Sequence, residues 1–278
     1  ALSGFLLVLI YPLGTRWILA IAALLLLQGP LLALLLMIAT GAKAPAEPLH
    51  WSLMGETFAI YANGSFADVF QRNVFWGQLG KWAFMVESGR IWNVIGLFLV
   101  GFVLGRLRFF ENYRERLPLL FAAFGAGLLL LGVVHVSQAL ISSSSLPEAV
   151  AALGGEILQH YVNNLLTILG VLLFLFVYEI RWMKAPMNWL APCGRMSLTV
   201  YVTQSLYGVP LFYGFGLGLY TGFGQVNALL LGLALWCVQM LIAHAWMKRY
   251  YYGPFEWLWR AGTYLSMDVP WRRGRERG

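Results

Sequence analysis

Long apolar runs alternate with short polar breaks from one end of the chain to the other. Residues 17–40, 91–107, 118–140, 157–180 and 225–247 are apolar almost throughout. At 1.5 Å per residue, about 17–25 such residues form a helix that crosses roughly 30 Å of hydrocarbon. A sixth run, 195–217, is long enough but more polar. The pattern predicts an all-α fold, a polytopic transmembrane helical bundle of about six full spans. Residues 2–10 form a run of only nine positions. They read as a partial helix continuing upstream, so the chain is expected to be the carboxy-terminal part of a larger protein.

Breakers refine this pattern. Gln28, Gly29 and Pro30 interrupt the run 17–40, and Pro30 removes a backbone donor, so a kink is expected there. Gly96, Gly101 and Gly105 would let a neighbouring helix approach 91–107 closely. The stretch 41–90 is too polar to span and too aromatic for a free linker. Within it, Ser65 and Asp68 form a capping-box variant ahead of an apolar face at Phe66, Val69, Phe70 and Val74. Short helices lying in the membrane interface are expected there.

The run 195–217 is the unusual one. Arg195, Thr199, Tyr201, Thr203, Gln204 and Ser205 line its first turns, and Leu198, Val202 and Leu206 leave only a narrow apolar stripe. A helix that polar cannot face lipid all round and belongs inside a bundle. Its polar groups either bind helices together or line a functional path.

Composition agrees with the pattern. The 278 residues are 60% hydrophobic and 11% charged, which excludes an ordinary soluble domain at about 25% charged. The net charge of +7 reads as topology and not as a nucleic-acid footprint, because the basic residues gather at helix ends. Fifteen of the nineteen Lys and Arg residues fall in 11–16, 106–117, 181–195 and 248–278, with four in the alternating loops. By the positive-inside rule the carboxy terminus is cytoplasmic and 41–90 lies outside. The expected layout is then an amino-terminal helical region over 1–40 and an extracytoplasmic interfacial segment over 41–90. A membrane domain over 91–265 follows, closing with a tail helix over 254–262, and a basic cytoplasmic tail covers 266–278. Cys193 and Cys237 suggest neither a disulfide nor a metal site, and no metal is expected.

Two polar clusters are candidates for chemistry. The outer one draws on Arg90, Asn93, His135, Gln138, Glu156, His160, Asn163 and Asn164, each near the extracytoplasmic end of its helix. A histidine beside a carboxylate is what general-base catalysis needs, so His135, Glu156, His160, Asn163 and Asn164 are the catalytic candidates. The alternative is that they are hydrated at the water boundary. The inner cluster holds Arg106, Arg181 and Arg195, which could bind an anion such as a phosphate-bearing donor. On the same side, Glu256 and Arg260 are spaced i, i+4 in a turn that opens with Gly253 and Pro254. Arg195, Glu256 and Arg260 are expected to form one ion-pair network docking the tail. A plain interfacial anchor is the alternative.

Gly194, Arg195, Met196, Leu198, Thr199, Tyr201, Gln204 and Ser205, followed by Gly253, Pro254, Glu256, Trp257 and Arg260, resemble the YeiB-like family. These are bacterial inner-membrane proteins whose carboxy-terminal region is called domain of unknown function 418. The resemblance covers roughly 88–265 and implies further amino-terminal helices as partners in the same protein. The family is distantly similar to multipass membrane acyltransferases, which implies an acyl-CoA donor on the cytoplasmic side and an envelope acceptor outside. A transporter or export component and a non-enzymatic membrane scaffold are the other readings. The lipid bilayer is the expected partner, nucleic acid is not, and the sequence is silent on oligomeric state.

Overall fold

The computed structural model describes residues 8–43 and 48–272. Among the described residues the fold is all-helical, with no strand and one isolated bridge between Tyr250 and Arg272. The expected partial helix over 2–10 falls mostly on residues outside those described, as does the end of the basic tail.

The helices divide between two compact units. The first holds α1 (Thr15–Leu26), α2 (Gly29–Ala39), α3 (Leu49–Met54), α6 (Trp76–Glu87), α7 (Arg90–Arg106), α8 (Phe109–Asn112) and α9 (Leu117–Ser142). It also takes α10 (Glu148–Glu179) as far as Phe176. The second holds α4 (Thr57–Asn63), α5 (Phe66–Val74), α11 (Lys184–Arg195), α12 (Ser197–Phe212), α13 (Gln225–Met247) and α14 (Pro254–Tyr264).

Among the described residues, three stretches are long and apolar enough to cross a membrane: Phe109–Ser142, Glu148–Glu179 and Gln225–Met247. Only 11%, 22% and 17% of their most apolar windows are buried, so their outward surfaces are hydrocarbon and suit lipid. Two bent pairs raise the count to five if each is one span: α1 with α2, bent by 45°, and α6 with α7, bent by 74°. The remaining expected span, 195–217, is helical only as the 16-residue α12, about 24 Å long and short of the hydrocarbon thickness.

Local sequence explains the breaks. Gln28 adopts the left-handed conformation with φ 57°, and Pro30 opens α2 instead of kinking the middle of a helix. Arg195 ends α11 and does not open α12, because the chain turns at Met196 between them. The stretch 181–195 is thus helical, not the Pro- and Gly-punctuated loop its composition suggests.

In the first unit Ile18 and Ala22 of α1 pack on Leu99 and Val103 of α7, each pair at i, i+4. Gly96 permits this contact, since a Cβ there would lie 2.8 Å from Leu26 Cγ. Gly101 and Gly105 face open space, so the expected close approach uses Gly96 alone. Tyr113 and Leu120 meet Leu172 and Leu175 of α10 in a second cluster. In the second unit Met196, Ala243 and Met247 form the core. There α4 and α5 are held by the loop after α12: Tyr213 stacks on Tyr61 at 4.6 Å, and the Gly214 amide donates to Tyr61 O at 2.9 Å. The Ser65–Asp68 capping box is present at the start of α5.

Candidate functional site

The two helix breaks of the first unit are held by neighbouring residues of α10. Tyr161 Oη donates to Leu27 O at 2.7 Å, and His160 Nε2 lies 2.6 Å from Ser88 O. A carbonyl only accepts, so Nε2 of the buried imidazole carries a proton, and in the neutral ring the lone pair lies on Nδ1. Gly89 follows Ser88 with φ 69°, and a Cβ there would come within 2.6 Å of Gln28 Oε1. Gln28 is fully buried, and its amide has no hydrogen-bond partner among the described residues, like Asn93 Oδ1 and Asn164 Oδ1.

A cavity of about 150 Å³ opens beside this junction, lined by Phe84, Ser88, Arg90, Glu156, Gln159, His160 and Asn163. Arg90 stacks its guanidinium over the Phe84 ring at 5.0 Å. Gln138 Nε2 donates to Gln159 Oε1 at 3.2 Å, and Gln159 Nε2 donates to Asn163 Oδ1 at 3.2 Å. Three of the candidates, Glu156, His160 and Asn163, are therefore gathered with Arg90. His135 is exposed, and its Nδ1 bonds Leu131 O of its own helix at 2.9 Å.

Glu156 also lines a second cavity of about 320 Å³, with Leu34, Ile38, Pro48, Glu87, Ala149, Ala152 and Leu153. Its other carboxylate, Glu87, belongs to a pair that sequence reasoning missed. His50 Nδ1 lies 2.7 Å from Glu87 Oε2, and the amides of Leu49 and His50 donate to the two carboxylate oxygens at 2.8 and 3.1 Å. Glu87 thereby satisfies the first amides of α3. The signal was indirect: Pro48 stands where Ser, Thr, Asp or Asn would cap the helix, so its amides had to find an acceptor elsewhere.

In the second unit Glu256 does not meet Arg195 or Arg260, and no such ion pair occurs among the described residues. Its Oε1 accepts from the Thr199 amide at 3.0 Å and its Oε2 from Thr199 Oγ1 at 2.6 Å, while Thr199 Oγ1 accepts from the Phe255 amide at 3.1 Å. Thr199 and Glu256 are each the third residue of a helix, so α12 and α14 cap one another reciprocally, a capping box shared between two helices. Gly253 is required at the junction, because a Cβ would lie 2.6 Å from Thr199 Oγ1 and 2.7 Å from Met196 Cβ. The expected ion-pair network fails because a hydroxyl and a free helix amide already satisfy the carboxylate. Arg260 instead lies over the Tyr252 ring at 4.4 Å.

The polar groups of α12 continue this satisfied pattern. Gln239 Nε2 donates to Val200 O and Thr203 Oγ1, both at 2.8 Å, and Gln239 Oε1 accepts from Gln204 Nε2 at 3.2 Å. Tyr201 and Ser205 point to exposed surface. Among the basic candidates, Arg106 directs NH1 to Leu13 O at 3.0 Å and NH2 to Tyr11 O at 2.7 Å, while Arg181 and Arg195 are exposed.

Residues 104–266, more than half of the chain, match the family described as a protein of unknown function (DUF418). The chain belongs to that family. The DUF418 match takes in Glu156, His160 and the whole Thr199–Glu256 junction. Among individual proteins, it is 26% identical over 221 residues to the uncharacterized protein YxaH of Bacillus subtilis (strain 168), covering 74% of this chain and 50% of that protein. It is 38% identical over 74 residues to the uncharacterized protein YeiB of Escherichia coli (strain K12), covering 27% and 19%. An uncharacterized 39.9 kDa protein in the amylase 3' region of Bacillus acidopullulyticus is 35% identical over 71 residues, covering 26% and 20%. The chain therefore spans at most half the length of these relatives. No solved structure matches it.

Proposed function

We propose that this DUF418 chain is part of a bacterial inner-membrane acyltransferase, with its carboxy terminus in the cytoplasm and the two cavities facing an envelope acceptor. The observation that carries the reading is His160. Its Nε2–H is committed to Ser88 O, which leaves Nδ1 as the proton acceptor of the neutral ring, and it lines a cavity with Arg90, Glu156 and Asn163. In the proposed step the acceptor nucleophile attacks the acyl carbonyl of a thioester donor and gives its proton to His160. The C–S bond then breaks, and the proton passes to the leaving thiolate. Arg90 supplies positive charge for the oxyanion that forms. Of the cytoplasmic arginines, Arg181 and Arg195 are left to hold the donor, since Arg106 is committed to the turn at 11–15.

The test is transfer of a radiolabelled acyl group from acyl-CoA to envelope extracts by the reconstituted protein. His160→Gln should lower the rate about 10²–10⁴-fold with the fold retained. Undiminished transfer by that variant would remove His160 from the reaction.

A second reading, a transporter, is favoured by one observation. The two bent helix pairs meet at unpartnered, buried Gln28, as discontinuous helices do at a substrate site.

A further inference from the structure

The larger cavity of the first unit has a chemistry of its own. Its volume of about 320 Å³ suits a small organic molecule. Leu34, Ile38, Ala149, Ala152 and Leu153 make most of its wall apolar, and among the described residues its charged groups are two carboxylates, Glu87 and Glu156. These differ in state. Glu87 is held by His50 and two backbone amides. Glu156 makes no hydrogen bond or ion pair among the described residues, although Arg90 shares the smaller cavity with it. Glu156 is exposed and hydrated, so a ligand that seats against its carboxylate strips water from it, a cost that a cationic ligand offsets.

We propose that this cavity binds an organic ammonium ion with an apolar body, the ammonium on Glu156 and the body among Leu34, Ile38, Ala152 and Leu153. The His50–Glu87 pair serves as a fixed second acceptor: three hydrogen bonds lock the Glu87 carboxylate, so a ligand N–H meets it without reorganising it. Anions are repelled by the same two groups, and a neutral ligand leaves Glu156 unpaired. The inference names the class of the acceptor, an amine, whose ammonium gives one proton to the Glu156 carboxylate before its nitrogen can attack. It rests on the preceding reading only in taking these cavities as the acceptor side.

The test is isothermal titration of the protein in lipid nanodiscs with n-hexylammonium, 1-hexanol and n-hexanoate, with empty nanodiscs subtracted for partitioning. Hexylammonium should bind at least tenfold more tightly than the other two, and each added methylene should tighten binding about fourfold. Glu156→Gln should abolish the preference for ammonium while the melting temperature holds. Leu153→Trp, which fills the chamber, should weaken hexylammonium binding, and Glu156→Asp should restore part of the preference. Equal binding of the three probes, or a preference that survives Glu156→Gln, overturns the proposal. Ammonium selectivity without any acyl transfer would sink the acyltransferase reading and leave this site standing. Acyl transfer without ammonium selectivity would do the reverse.

Discussion

Thr199 Oγ1 lies 2.6 Å from Glu256 Oε2, and the amide of the same threonine lies 3.0 Å from Glu256 Oε1. Two helix starts, 57 residues apart in sequence, thereby lend each other the acceptors that their first turns lack. Removing either side chain strands groups of the other: Glu256→Ala leaves the Thr199 amide open, and Thr199→Val leaves a carboxylate short of a donor and the Phe255 amide uncapped. Each substitution should lower stability by about 1–3 kcal/mol. The double variant should cost clearly less than the two summed, since both remove one shared contact. Arg195→Gln, on an exposed side chain, should stay within about 0.5 kcal/mol. Chemical unfolding in detergent measures all four, and strict additivity of Thr199→Val with Glu256→Ala would break the reciprocal cap.

Two glycines of the family motif should behave oppositely. Gly253→Ala pushes a methyl group against Thr199 Oγ1 and Met196 Cβ, so the tail helix must move away and the aromatic contacts around Trp246, Trp257 and Trp271 loosen with it. A loss of more than about 1 kcal/mol and a shift in tryptophan emission are expected. Gly194 sits within α11 and has nothing within 4 Å of a Cβ. Gly194→Ala should therefore be neutral or stabilising by up to about 1 kcal/mol. Equal losses at the two positions would show that space at Gly253 is not what the motif protects.

What was legible in the sequence follows the range of each interaction. Helical class, the break at Gln28 and the cap at Ser65 are set by neighbours three or four residues away, so pattern alone reveals them. The convergence of Glu156, His160 and Asn163 was legible too, because one helix face carries them all. The partners were not. Glu87 and His50 are 37 residues apart, and a carboxylate accepts equally well from an arginine, a hydroxyl or a helix amide. Charge counting favoured Arg195 for Glu256, and the uncapped first turn of a helix supplied Thr199 instead. The extent of one span was hidden for a related reason: α12 stays short because the chain turns at Met196 and the helix ends at Phe212. Apolarity measures what can be buried in lipid and says nothing of where the helix stops.

The Ser65 cap should be sensitive to acid. Asp68 has its carboxyl held below the ordinary carboxylate range, first by the Ser65 hydroxyl and then by the Ser65 amide. A folded value below the unfolded one means that the contribution is fully present above the unfolded value, near pH 4, and is lost as pH falls through the folded value. The side-chain carboxyl resonance of Asp68 should accordingly titrate with a midpoint below that of a model peptide. Ser65→Ala should move the midpoint upward. A midpoint unchanged by Ser65→Ala would mean that the hydroxyl does not set the shift.

Arg106 separates two roles that charge alone confuses. Its guanidinium reaches Tyr11 O at 2.7 Å and Leu13 O at 3.0 Å with different nitrogens, and it lies over the Phe102 ring at 4.8 Å. That arrangement needs a planar fork and a stacking face, and an ammonium has neither. If Arg106 held an anionic donor as a point charge, Arg106→Lys would keep most of the affinity and leave the turn untouched. As a clamp, it should fail when replaced by lysine almost as badly as by glutamine. We expect both substitutions to cost about 1 kcal/mol, the flank of the side chain being open to solvent. Hydrogen exchange should speed up at 11–18, where the turn hands over to α1, and acyl-CoA affinity should be unchanged in both variants. A lysine variant with normal exchange at 11–18, or a donor affinity that falls with Arg106→Gln and returns with Arg106→Lys, would put Arg106 back among the anion ligands.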